Sequence, residues 1–174
     1  YVPLGTNPKG ELNLLTYVVV YLYKALKNIF PNITLEFVDV IYPVIFFALA
    51  LVVFFLLVKE LFGIRVAIIA SFFLSVLPSF LYRTMAGFSD KEPLALFFMF
   101  LSFYFYVKAH KNRHCYLFAF LSGVSTGLMG LTWGGVKFVL IIVALHSLIL
   151  FLLNQTSKKV LLLYALWFLP STFT

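Results

Sequence analysis

Long uninterrupted apolar segments dominate this sequence, and they restrict its fold more than any other feature. Residues 40–58 contain no charged side chain, and similar runs recur along the chain. A segment of about 20 mostly apolar residues is long enough to cross a bilayer as an α-helix. Only 11% of the residues are charged, against about 25% in an average soluble domain. The sequence therefore predicts an all-α fold, a polytopic transmembrane helix bundle.

Six segments are predicted to be membrane spans, and no internal repeat divides them into separate domains. They are residues 40–58, 66–82, 93–107, 116–132, 138–153 and 160–174. Residues 1–38 come before the first span, and residues 12–29 among them have the length of a helix. Lys24 and Lys27 interrupt its apolar run. We therefore expect residues 1–38 to be the end of an external loop with an interfacial helix, followed by a partial transmembrane domain over 39–174.

Basic side chains in the loops predict the orientation of the bundle. Three alternate loops carry most of them: Lys59 and Arg65, then Lys108, Lys111 and Arg113, then Lys158 and Lys159. Positively charged loops favour the cytoplasmic side of a membrane. The loop 83–92 and the Trp133–Gly135 break are then expected on the external or lumenal face. Because the basic residues lie at the ends of spans, the net charge of +7 does not indicate a nucleic-acid partner.

The loop 83–92 places Arg83, Asp90 and Glu92 between two apolar segments. Charge beside hydrocarbon is costly and usually functional. Two carboxylates that share a site repel each other unless a cation offsets the repulsion, and the Arg83 guanidinium can hold a carboxylate or a phosphate oxygen. Carboxylate oxygens suit Mg²⁺, Mn²⁺ or Ca²⁺, and such an ion stabilises a departing diphosphate. The spacing by itself favours a simpler role, in which Asp90 or Glu92 caps a helix that starts at Pro93.

Four short sequence elements, taken in order, carry a family resemblance. They are Tyr1-Val2-Pro3-Leu4-Gly5, the stretch Pro78–Glu92, Trp133-Gly134-Gly135 and Leu145-His146. Together they resemble elements of the catalytic subunit of oligosaccharyltransferase, especially in its archaeal form. In that family they read Y-P-x-G, then a proline and S-R-x-x-A-G followed by a carboxylate pair, then W-G-G, then L-H. Tyr82 stands where the family has serine, while the arginine-to-aspartate spacing matches.

The resemblance implies a C-type membrane glycosyltransferase that transfers an oligosaccharide from a polyprenyl phosphate or diphosphate lipid to asparagine in Asn-X-Ser/Thr sequons. It implies that Asp90 binds a divalent metal, Mn²⁺ or Mg²⁺, and that Glu92 is a second metal ligand or shapes the site. It also implies that Arg83 orders the two carboxylates, which makes these three the catalytic residues. Lys91 and Trp133 are expected to contact substrate. The implied partners are the lipid-linked donor, a sequon-containing polypeptide, membrane lipid and the remainder of the same polypeptide.

The chain also departs from the family pattern. Lys91 and Pro93 replace the small or polar residues often found around the carboxylate pair, and Lys91 adds a positive charge near the expected metal. The family's first acidic motif is expected before Tyr1. Its later acidic residue and its Trp-Trp-Asp motif are expected after Thr174. We therefore expect this segment by itself to be inactive.

Two other functions remain open at this stage. Another membrane glycosyltransferase that uses a polyprenyl-linked sugar would share the carboxylate loop, and a Trp-Trp-Asp motif in the full protein would argue against it. A secondary transporter would use Arg83, Asp90 and Glu92 as a coupling site. Transporters usually place such charges near the bilayer midplane and contain internal repeats, and this sequence shows neither feature.

Overall fold

The computed structural model describes residues 14–172, and within that range the chain folds into eight α-helices without a β-strand. The helices are α1 (Leu14–Ile29), α2 (Leu35–Phe62), α3 (Ile64–Val76), α4 (Pro78–Thr84), α5 (Glu92–Lys111), α6 (Cys115–Gly130), α7 (Lys137–Leu152) and α8 (Lys158–Thr172). A 3₁₀ turn, Gly134–Val136, leads into α7. The all-α fold expected from the sequence is confirmed.

Several of these helices have the dimensions of membrane spans. Within the described range, α2, α5 and the segment Gly134–Leu152 are long and apolar enough to cross a bilayer. The pair α3 and α4 meets the same criterion, although the two helices are bent by 63° at their junction. With 16 and 15 residues, α6 and α8 are shorter than the roughly 20 that a span needs. The chain is therefore an integral membrane protein, while the count of six spans stays a prediction.

The first helix, α1, lies against the beginning of α2. Val19 of α1 joins Val38 and Tyr42 of α2 in a buried cluster. Lys24 and Lys27 are exposed. This helix corresponds to the predicted helix over 12–29, with an apolar side and a polar side, and its place at the membrane interface stays a prediction. The Tyr1–Gly5 element lies outside the described residues.

The helices α2 and α5 pack side by side and run in the same direction. The rings of Phe54 and Phe100 lie 5.1 Å apart. At the far ends of the two helices, Glu60 Oε2 lies 3.2 Å from Lys108 Nζ, and Lys111 donates a hydrogen bond to the backbone oxygen of Glu60. Both helices therefore begin at the opposite end of the bundle, where the loop after α4 also lies.

Buried hydroxyl groups join α5, α6 and α8. Ser102 Oγ lies 2.7 Å from Thr126 Oγ1, the Trp167 indole N–H donates to Thr126 Oγ1 at 3.1 Å, and Ser122 Oγ donates to the Ser102 backbone oxygen at 2.8 Å. Gly123 lies so close to the backbone of Trp167 that a Cβ there would overlap its carbonyl oxygen. Small residues let apolar helices approach closely and exchange such hydrogen bonds. The three helices thus form one tightly packed unit.

The helix boundaries depart from the predicted spans mainly between α2 and α4. The helix α2 extends past both ends of the predicted span 40–58, and only Gly63, with a φ of 90°, separates it from α3. The predicted span 66–82 is not one helix, because it breaks at Leu77. The following Pro78 disfavours a helical conformation at Leu77, which has φ −68° and ψ 118°. The other predicted spans match α5 to α8 to within a few residues.

Candidate functional site

The loop over residues 85–91 lies where α2 and α5 begin. Because of the bend at Leu77, α4 is inclined to α3 by 63°, and the last turn of α4 carries Arg83 beside this loop. Thr84 closes that turn, since its buried hydroxyl donates to the Phe80 backbone oxygen at 2.7 Å. The bend at Leu77, inside the predicted span 66–82, therefore determines where Arg83 is placed.

The side chain of Arg83 links the two carboxylates of the loop. Its Nη1 lies 3.2 Å from Asp90 Oδ2, and its Nε lies 3.2 Å from Glu92 Oε2. The three side chains are 44%, 36% and 24% exposed, respectively, so the cluster is open to solvent. One guanidinium thus offsets the repulsion between two carboxylates that are close in sequence. The structure brings together the three residues that the sequence singled out.

Phe88 of the loop makes a further contact with Arg83, in addition to the two carboxylates. Gly87 adopts a φ of 84°, which L side chains rarely adopt, and this lets the chain turn back toward α4. The ring of the next residue, Phe88, lies 5.4 Å from the Tyr82 ring and 5.7 Å from the Arg83 guanidinium carbon. The cation–π contact adds to the two ion pairs. Arg83 therefore lies between an aromatic ring and two carboxylates.

The alternative role, capping of α5, explains only part of this arrangement. The helix begins at Glu92, and its N-cap residue, Lys91, makes no side-chain capping bond. Asp90 Oδ1 accepts a hydrogen bond from the Lys91 backbone N–H at 2.6 Å. Glu92 lies in the first turn, where the helix dipole favours negative charge. Each carboxylate also directs one oxygen to Arg83, which a capping role alone does not require.

Two residues of α2 contact the loop, and sequence reasoning missed both. Asp39 Oδ1 accepts a hydrogen bond from Ser89 Oγ at 2.7 Å. The hydroxyl of Tyr42, a fully buried residue, donates to the backbone oxygen of Asp90. The predicted span began after Asp39, whereas the observed helix includes it. An acidic residue at the start of an otherwise apolar run is the sequence signal that could have identified Asp39.

The two residues expected to contact substrate lie in different surroundings. Lys91 is half-buried in the loop, between Asp90 and Glu92. Trp133 follows α6 at the same end of the bundle, and it packs against a buried cluster that includes Ala95 and Val139. A Cβ added at Gly135 would overlap the Trp133 ring. Trp133 thus packs against the scaffold, and substrate contact by either residue stays a prediction.

The histidine of the Leu145-His146 element does not join this site. His146 Nδ1 lies 2.8 Å from the hydroxyl of Tyr106, and its ring packs 5.4 Å from that of His110. These residues lie near the end of α5 that is remote from Glu92. His146 is therefore a packed and hydrogen-bonded helix residue in this structure.

The carboxylate pair fits a divalent cation in its chemistry but falls short in the number of ligands. Carboxylate oxygens are ligands that Mg²⁺ and Mn²⁺ prefer. Across residues 14–172, however, no three His, Cys, Asp or Glu side chains come close enough to hold a metal ion together. Asp90 and Glu92 also direct one oxygen each to Arg83. These two residues can thus supply only part of a coordination sphere.

The whole sequence matches a known family. A family model described as oligosaccharyl transferase STT3, N-terminal, matches residues 1–174.

Curated relatives from three organisms are similar to this chain. It is 31% identical over 109 residues to the dolichyl-diphosphooligosaccharide–protein glycosyltransferase subunit STT3A of Oryza sativa subsp. japonica, which covers 63% of this chain and 14% of that protein. It is 26% identical over 175 positions to subunit STT3 of Saccharomyces cerevisiae, covering 99% of this chain and 24% of that protein. The stt-3 subunit of Caenorhabditis elegans is 28% identical over 116 residues, which is 67% of this chain and 15% of that protein. The chain thus spans a quarter or less of the length of these relatives.

Proposed function

This chain belongs to the oligosaccharyl transferase STT3 N-terminal family, and on that premise we propose that the protein containing it catalyses N-glycosylation. It transfers an oligosaccharide from a polyprenyl diphosphate lipid to the asparagine of an Asn-X-Ser/Thr sequon. The observation that supports this most directly is the pairing of Arg83 with both Asp90 and Glu92 at one end of an apolar helix bundle. The relatives are named as dolichyl-diphosphooligosaccharide–protein glycosyltransferase subunits, which agrees with the same reaction.

The acceptor explains why carboxylates are needed. An amide nitrogen is a poor nucleophile, because its lone pair is delocalised into the carbonyl group. A carboxylate oxygen close to the sequon asparagine accepts hydrogen bonds from the amide N–H groups and favours the form in which the nitrogen attacks. Asp90 and Glu92 are the acidic residues that we propose for that task, and Arg83 forms an ion pair with each of them.

The donor explains why a cation is needed at the same place. Asp90 and Glu92 are the residues we propose as ligands of Mn²⁺ or Mg²⁺, together with groups from the remainder of the polypeptide. When bound, such an ion stabilises the negative charge that develops on the diphosphate leaving group. Lys91 adds a further positive charge beside the pair, which suits contact with a phosphate. Trp133, at the same end of the bundle, is the second residue we propose near substrate.

We further propose that the carboxylate loop faces the outside of the cell or the lumen. The basic loops support this orientation, because Lys108, Lys111 and Glu60 meet at the opposite end of the parallel helices α2 and α5. Positively charged loops favour the cytoplasmic side. The donor lipid would then present its diphosphate to the loop from the outer leaflet, where secreted polypeptides are available as acceptors.

The proposal is tested with the full-length protein, a lipid-linked oligosaccharide and a fluorescent sequon peptide, by following the mass increase of the peptide. We expect transfer by the unmodified protein, none to a peptide with glutamine in place of the sequon asparagine, and loss of transfer in Asp90→Ala. Glu60→Gln is the matched control, because it removes an acid at the opposite end of the same bundle and should leave transfer intact. Transfer by Asp90→Ala at the unmodified rate would refute the role of the carboxylate pair.

Two further assays separate the other functions considered above. Transfer of sugar to lipid, serine or threonine, with none to asparagine, would identify a different polyprenyl-dependent glycosyltransferase. Ion-coupled uptake of a solute into vesicles, without any glycan transfer, would identify a transporter. The place of the charges does not favour a transporter, since Arg83, Asp90 and Glu92 lie at the end of the bundle and are open to solvent.

A further inference from the structure

The beginning of α2 contacts the carboxylate loop at three successive points. Asp39 Oδ1 accepts a hydrogen bond from Ser89 Oγ at 2.7 Å. The backbone oxygen of Val40 accepts one from the N–H of Gly87 at 3.0 Å. The hydroxyl of Tyr42 donates to the backbone oxygen of Asp90. A single turn of helix thus holds three of the four residues from 87 to 90.

The helix that makes these contacts is itself fixed. Tyr42 is fully buried in the cluster that joins α1 and α2, and its ring packs 6.2 Å from that of Phe46. A buried side chain in a packed cluster keeps one rotamer, so its hydroxyl marks a constant position. Asp39 lies one turn earlier on the same helix and is half-buried. The loop is therefore anchored on a rigid element, which is what precise placement of reacting groups requires.

We propose that Asp39 and Tyr42 are positioning residues for the Asp90 and Glu92 carboxylates. This inference rests on the proposed function, since the carboxylates are the groups taken to act there. In this role neither Asp39 nor Tyr42 contacts substrate. Asp39 acts through the Ser89 hydroxyl, and Tyr42 acts through the Asp90 backbone, so that Asp90 arrives at Arg83 in one orientation.

A different role for Asp39 makes opposite predictions. If the Asp39 carboxylate bound the cation or the acceptor directly, its negative charge would be essential, and Asn would fail in its place. If Asp39 only accepts the Ser89 hydrogen bond, Asn supplies an equivalent carbonyl oxygen, and removal of the Ser89 hydroxyl has the same effect as removal of Asp39. A comparison of the two substitutions therefore separates positioning from direct participation.

The kinetic test uses the full-length protein with the variants Asp39→Asn, Asp39→Ala, Ser89→Ala and the double variant Asp39→Ala/Ser89→Ala. We expect each alanine variant to lower kcat by about 3- to 10-fold, the scale of one lost hydrogen bond, with little change in the KM for peptide. The double variant should fall no further than the worse single variant, because both remove the same bond. Asp39→Asn should restore kcat to within about twofold.

Tyr42→Phe tests the second contact without disturbing the buried ring. It should lower kcat by a similar factor while the thermal midpoint in detergent stays close to that of the unmodified protein. Two results would overturn the proposal. In the first, Asp39→Asn lowers kcat as much as Asp39→Ala does, while Ser89→Ala leaves kcat unchanged. In the second, the loss of kcat in the double variant equals the product of the losses in the two single variants.

A second measurement does not depend on activity. Cysteines at positions 39 and 89, introduced as Asp39→Cys and Ser89→Cys with Cys115 replaced by serine, should form a disulfide on mild oxidation in native membranes. The pair Asp39→Cys with Asn112→Cys, at opposite ends of the bundle, is the control that should not link. Failure of the 39–89 pair to link in an active protein overturns the positioning role alone. If the cysteine pair links but the unmodified protein transfers no glycan, the proposed function is refuted and, with it, the inference.

Discussion

Arg83 Nε lies 3.2 Å from Glu92 Oε2, so that one ion pair joins the last turn of α4 to the first turn of α5. The same guanidinium reaches Asp90 through a different nitrogen. The planar guanidinium of arginine has several N–H donors and can make both contacts at once, whereas the ammonium group of lysine is a single point of charge. This difference gives the first prediction.

Arg83→Lys should lower the rate of glycan transfer by about tenfold or more, because lysine cannot hold both carboxylates in the observed geometry. The measurement is kcat for a sequon peptide in the full-length protein. Arg113→Lys, an exposed residue near the opposite end of α5, is the matched control and should be unaffected. Equal rates for Arg83→Lys and the unmodified protein would show that the fork geometry is irrelevant.

Removal of divalent cations should abolish transfer, and Mn²⁺ or Mg²⁺ should restore it. Asp90→Asn should retain little activity and should raise the half-saturating metal concentration by about tenfold or more. Even the mutation of residues that only hydrogen-bond to metal ligands lowers metal affinity by that factor. Metal titrations of the transfer rate measure both effects. A rate unchanged by thorough chelation would contradict the metal role of Asp90 and Glu92.

Gly123→Ala should destabilise the bundle by about 1–3 kcal/mol, because the added methyl group overlaps the Trp167 carbonyl oxygen and forces α6 away from α8. Gly134→Ala is the control, since a Cβ at that position meets nothing within 4 Å. Unfolding in detergent with increasing SDS gives both free energies. Equal stability of the two variants would show that the α6–α8 contact is looser than described.

Thr126→Val should destabilise the bundle by about 0.6 kcal/mol and by no more than about 1.7 kcal/mol, the mean and the maximum measured for hydrogen bonds between membrane helices. Valine keeps the shape of threonine but loses the hydroxyl that contacts both Ser102 and Trp167. The same SDS titration measures the loss, and Trp167→Phe combined with Thr126→Val should show an effect smaller than the sum of the two single changes.

Cysteine labelling tests the orientation of the bundle. A cysteine introduced as Ser89→Cys should react with a membrane-impermeant maleimide added from outside, whereas one introduced as Asn112→Cys should react only after the membrane is opened. Cys115 is buried and is replaced by serine in both proteins as a precaution. The reverse labelling pattern would place the carboxylate loop in the cytoplasm and remove the proposed reaction from its substrates.

The sequence by itself determined the class of fold, the approximate place of most helices and the three charged residues of the candidate site. These follow from local properties. Apolar runs must be helical in a bilayer, and so few charged residues lie beside them that those of the candidate site can be recognised directly. Proline at position 78 was visible as well, but the sequence did not show that it divides the span 66–82, since prolines are tolerated inside membrane helices. In α2, indeed, Pro43 lies within an unbroken helix.

Only the tertiary structure decided how the charged residues are combined. The two ion pairs of Arg83 depend on the 63° bend between α3 and α4, and the anchoring of the loop depends on Asp39 and Tyr42, which lie about 50 residues away along the chain. Such contacts join residues whose proximity results from helix packing, and no periodicity or spacing within one segment encodes it. The sequence thus fixes which groups are present, while the packing of α2 against α5 sets the positions in which they meet.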